Sequence, residues 1–114
     1  MRRTLYRPAA RADIRFILRS SQRRFGVRAQ RDYSALIDRA LALLCENPRR
    51  PGVAPTDMVE GAFLFHLRHA RQRGRAPKPP RHIIVFDYDD AALTVLRVLH
   101  DAMNIETHLR GDDE

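Results

Sequence analysis

The sequence predicts an α+β domain: an N-terminal strand, an α-helical hairpin, then an antiparallel three-stranded meander and a short C-terminal segment. Three observations carry this. Apolar residues recur every three to four positions through the first half of the chain. Runs rich in Val, Ile and Phe take over in the second half. Pro, Gly and an Asp-Asp pair stand at the joints. A length of 114 residues supports one domain, residues 1–114, around a single core.

Residues 4–7 read as the first strand, and Pro8 stands where it can open a helix. Ala10, Ile14, Ile17, Leu18 and Ser21 then share one helical face. Arg11, Arg15, Arg19 and Arg23 form a basic ridge on the other side. Gly26 caps this helix. Tyr33, Leu36, Ile37, Ala40, Leu41 and Leu44 mark the buried stripe of a second helix, which Asn47-Pro48 ends. The short connection makes the pair an antiparallel hairpin.

Residues 62–69, 82–88 and 93–99 read as strands, with Asp89-Asp90 as a hairpin turn. The connection 70–81 is long, with five cations, three prolines and a glycine. The helices are expected to cover one sheet face. Because side chains alternate along a strand, Phe63, Phe65 and Leu67 are assigned to the covered face, as are Leu96 and Val98. Leu64, His66, Arg68, Val95, Arg97 and Leu99 then share the other. One β-bulge would reverse this parity. That second face is too apolar for plain solvent, so Leu64, His66, Arg68, Val95 and Arg97 are the candidate contacts for a partner.

The formal net charge is +7, and Lys78 is the only lysine. Residues 1–31 hold ten arginines against one acid, Asp13, whereas the chain closes on Gly111-Asp112-Asp113-Glu114. Such a surface wants a polyanion or an acidic protein. The basic patch comprises Arg11, Arg15, Arg19 and Arg23 with Arg71, Arg73 and Arg75 of the long loop. Direct nucleic-acid binding through Arg71, Arg73, Arg75, Lys78 and Arg81 is weighed against a solvated, proline-stiffened loop, and the loop is favoured. The lone cysteine, Cys45, excludes an intramolecular disulfide and fits a cytoplasmic location. No apolar run approaches the roughly 18–20 residues of a membrane span. The arginine-rich start has transit-peptide composition, but residues 4–8 already read as the first element of the fold.

His100 ends the last strand beside Asp101. The parity count places it on the core side, as a structural corner with Met103 rather than as a catalytic base. Met103, Ile105 and Leu109 give the closing segment an apolar edge. His66 and His69 look like a zinc pair, but positions three apart on a strand face opposite sides. No metal or other cofactor is called for, and no phosphate loop or nucleophile motif occurs. RNA cleavage would need a base, an acid and phosphate-binding cations, for which His66, Arg68, Arg97 and Tyr88 are the candidates.

In order and spacing the chain resembles the ParE branch of the ParE/RelE family of bacterial toxins. The resemblance runs through PAARADIRFI (8–17), Phe25-Gly26, Tyr33 with Leu36, Asn47-Pro48, HIIVFDYDD (82–90) and RVLHDAMNIETHL (97–109). The loop 70–81 is longer than is usual in the family, and Asn104 stands where an aspartate is common. The resemblance implies a type II toxin neutralised by a ParD-like antitoxin that folds onto it, most often as a hetero-oligomer. ParE-type toxins act on DNA gyrase. RelE-type relatives cut mRNA on the ribosome. The late tyrosine of the RelE pattern is missing after Arg97, which favours inhibition by binding over enzymatic cleavage.

Overall fold

The computed structural model describes residues 1–57, 59–72 and 79–102. Its elements are β1 (Arg3–Tyr6), α1 (Pro8–Phe25), α2 (Val27–Glu46), β2 (Val53–Pro55), β3 (Phe63–His66), a 3-10 turn (Leu67–Ala70), β4 (His82–Tyr88) and β5 (Ala92–His100). The α+β class is as predicted. The sheet, however, is five-stranded and mixed, in the order β1-β5-β4-β3-β2, with β1 parallel to β5 and the other pairs antiparallel.

The helical hairpin forms as its pattern dictates. Pro8 sits in the first turn of α1, where its missing N–H costs nothing. Gly26 takes φ +95°, and its N–H bonds back to the Gln22 carbonyl, so one residue closes α1 and starts α2. Arg23 and Arg24 lie in the last turn, favourable to the helix dipole. Ala10 and Ile17 of α1 meet Ile37, Ala40, Leu41 and Leu44 of α2 over Phe65, Ile84, Phe86, Leu93, Val95 and Val98 of the sheet. Leu44, Phe65 and Phe86 are fully buried. Each such side chain contributes about 1.5–3 kcal/mol of hydrophobic stabilisation.

Three features depart from expectation. The run 62–69 is strand only to His66. There the His66 ring accepts the Arg68 N–H (3.0 Å), which diverts the backbone from the ladder into a 3-10 turn. Second, Val53–Pro55 adds an edge strand, where Pro55 is tolerated because it needs no ladder donor on the solvent side. Third, β5 carries a bulge: Val85 pairs with Arg97 but Phe86 with Val95, leaving Leu96 as the extra residue. The parity assignment therefore fails before the bulge and holds after it. Leu93 and Val95 pack under the helices together with Val98. Leu96 and Leu99 pack on the opposite face with Ala62, Val85, Val59 and Leu64.

Candidate functional site

At the β3 end of the sheet an open cleft of about 460 Å³ is bordered by Leu64, His66, Arg68, His69, Arg81 and Asp101. Leu64 and His66 reach it from β3, Arg81 precedes β4, and Asp101 follows β5. The Asp101 N–H bonds the Arg81 carbonyl (2.8 Å), so the two residues close the β4–β5 ladder together.

Their side chains form a connected set. Arg81 Nε donates to both Asp101 oxygens (3.0 and 3.2 Å). His66 Nδ1 accepts the Arg68 N–H, so its proton is on Nε2, which donates to Asp101 Oδ2 (3.0 Å). Both ring nitrogens of His66 are thus committed, and the ring is only 12% exposed. The His66 hydrogen bond, and then Arg81, hold the Asp101 carboxyl below its usual range. His69 sits one 3-10 turn on, its ring stacked obliquely on Phe65 and close against Gly52. Burial, with Arg68 and His66 nearby, lowers the His69 pKa and favours the neutral ring.

On the helix side of the same sheet end stands a second polar group. The Tyr33 hydroxyl of α2 shares a hydrogen bond with His82 Nδ1 (2.5 Å) and accepts the Arg81 N–H (3.3 Å). Burial, followed by the nearby His100, pushes His82 down to about 4; burial pushes Tyr33 up to about 12. His100 pairs with His82 across the strands, lies edge-on to it at 5.3 Å, and accepts the Ala102 N–H at Nδ1 (3.0 Å).

A third group ties α1 to β5. Arg97 grips Asp13 with Nε (2.7 Å) and Nη2 (3.0 Å), and Asp13 also accepts the Val98 N–H (2.9 Å). The two side chains are 15% and 16% exposed.

The residues singled out from sequence are therefore only partly brought together. Leu64, His66 and Arg68 border the cleft. Val95 lies in the helix-covered core, and Arg97 is bound to α1. Tyr88, at the far end of β4, hydrogen-bonds Arg49 (2.7 Å) on the helix side. His66 and His69 do border one cleft, because the strand ends between them; the strand-parity reason for separating them does not apply. Among the described residues no group of three or more His, Cys, Asp or Glu is placed to hold a metal. Arg11, Arg15, Arg19 and Arg23 are all exposed. Met103, Ile105, Leu109, Arg73, Arg75 and Lys78 fall outside the described residues.

Sequence reasoning noted Asp101 only as the neighbour of His100, whereas its short bond goes to His66. It also passed over Asp13. The signal was present: the lone acid among ten arginines sits three and four residues from Ala10 and Ile17, on the buried stripe.

The family model for the ParE toxin of type II toxin-antitoxin systems (parDE) matches residues 5–105, which spans α1 through β5. The chain belongs to the ParE toxin family. This makes it the toxin of a type II toxin-antitoxin system and implies an antitoxin partner. A search of curated proteins gave no match. In this ParE-family chain no described helix is long and apolar enough to cross a membrane.

Proposed function

We propose that this toxin acts in the cytoplasm by binding and inhibiting DNA gyrase, and that a ParD-like antitoxin neutralises it. The observation that carries this reading is the dispersal of the cleavage candidates. His66 is locked on both nitrogens, Arg97 is held by Asp13, and Tyr88 stands at the other end of β4. Arg68 remains exposed at the cleft and fits a contact role, since a guanidinium makes two charge-assisted hydrogen bonds to a carboxylate. Losing such an anchor weakens binding, and excess protein restores the effect. Losing a catalytic group lowers turnover, which saturation does not restore. Growth arrest against toxin dose for Arg68→Ala distinguishes the two. A right-shifted curve that still reaches full arrest is the expected result.

The antitoxin surface is assigned to two apolar features. Leu64 and Leu96 stay half-buried on the sheet face away from the helices. A groove beside α1, bordered by Tyr6, Ile14, Ile37 and Arg15, lies on the hairpin side. Leu64→Asp should fold and bind antitoxin at least tenfold more weakly, because the complex would bury an unpaired charge. Unchanged affinity by calorimetry would reject this face.

One feature favours a second reading, RelE-like cleavage of mRNA. His69 is a mostly neutral imidazole at the cleft beside Arg68, the state a general base needs. Position-specific mRNA cuts on purified ribosomes that vanish in His69→Ala would establish it.

A further inference from the structure

The exposed side of α1 carries a row of arginines. Arg11, Arg15, Arg19 and Arg23 recur every four residues, so successive guanidiniums step about 6 Å along the helix axis. Arg11 stacks on Tyr6 at 4.8 Å. Among the described residues Arg15, Arg19 and Arg23 make no ion pair. The one acid of this region, Asp13, is turned inward onto Arg97. Arg24, Arg28 and Arg31 are also exposed near the α1–α2 turn. The helix runs unbroken for 18 residues, so the row winds around it by only about 40° per step.

From this placement we infer that the toxin itself binds duplex DNA, with Arg15, Arg19 and Arg23 of α1 lying along the phosphate backbone. A regular, convex row of cations suits a rigid polyanion, whose charge repeats about every 3.4 Å along each strand. An acidic peptide would want a concave seat and apolar anchors at helical spacing. The nearest groove lies on the flank of α1 and contains an acid, Asp38, while the row itself presents one large apolar side chain, Phe16, 68% exposed. The choice of DNA among polyanions rests on the gyrase reading, since gyrase works on DNA. Such binding would raise the toxin's local concentration at its target. Backbone contacts carry no base information, so the binding is independent of sequence.

The test is fluorescence anisotropy of a labelled mixed-sequence duplex with the full chain and no gyrase, from about 50 to about 200 mM salt. The logarithm of affinity should fall linearly with the logarithm of salt, with a slope of about −3. The exposed pair Arg15→Gln/Arg19→Gln, checked for native circular dichroism, should flatten the slope by about 2. Phe16→Ala should leave it unchanged. Absence of binding at the lowest salt, or a slope untouched by the double variant, would overturn the inference. So would tighter binding to duplex RNA, to phosphatidylglycerol vesicles or to an acidic peptide than to DNA, or an equal loss in Phe16→Ala. Because gyrase is absent, this result stands or falls separately from gyrase inhibition.

Discussion

Asp13 completes a ladder that the sheet leaves open. β1 ends at Tyr6 opposite Val95, and the Arg7 N–H still reaches the Val95 carbonyl (2.9 Å). Beyond that point the β1 edge of β5 has no described strand beside it, and the Asp13 carboxylate accepts the Val98 N–H in its place. Arg97 neutralises the carboxylate in the same small space. Removing one partner of a largely buried pair strands the other, so Arg97→Ala should cost about 3 kcal/mol. Asp13→Ala should cost at least as much, because it also orphans a backbone donor. Urea midpoints measure both; wild-type stability in Arg97→Ala would show the pair to be an ornament of the surface. His82 gives a second test. Its folded pKa of about 4 lies below the unfolded value of about 6.5. The unfolded chain therefore takes up a proton that the folded chain refuses, and stability falls as pH drops from about 6.5 to about 4, by about 2–3 kcal/mol. Denaturant midpoints at stepped pH should be flat above about 7 and should lose this decline in His82→Gln.

The bulge in β5 decides which face its side chains serve. Val95 is fully buried under the helices, and Leu96 beside it packs on the opposite face. Val95→Asp should therefore fail to fold, whereas Leu96→Asp should fold and lose antitoxin affinity. Soluble yield and a pull-down by tagged antitoxin would separate them; folded Val95→Asp protein would place the bulge elsewhere. The helices were legible because a 3.6-residue stripe is redundant over 18 to 20 positions, and Pro8 and Gly26 punctuate it. The strand positions were legible for the same reason of composition, and the Asp89 turn for its chemistry. The Asp89 carboxylate accepts the Ala91 and Ala92 N–H groups (both 2.8 Å), bonds that hold it below its usual pKa. The bulge was not legible, because an extra Leu in an apolar run leaves no mark on a pattern of period two. The edge strand Val53–Pro55 was hidden by its proline and its three-residue length. The cleft was half legible: His66 follows from strand parity, but Arg68 lies on the 3-10 turn past the strand end, and the junction with Arg81 and Asp101 depends on the β4–β5 register.

Across the molecule, charge and apolar surface are divided. One sheet face is sealed by the hairpin, the other keeps Leu64 and Leu96 within reach of a partner, and arginines line the outer side of α1. Under the proposed function, this division suits a toxin that is covered by its antitoxin when silent and meets gyrase when free. It also agrees with a cleft whose His66 is spent on structure. Titrating the purified toxin into a DNA gyrase supercoiling reaction, with mRNA ends mapped on purified ribosomes in parallel, separates action by binding from cleavage. Dose-dependent loss of supercoiling, reversed by the antitoxin, with unchanged mRNA ends is the expected result. Full supercoiling at saturating toxin together with position-specific mRNA cuts would rule out action by binding.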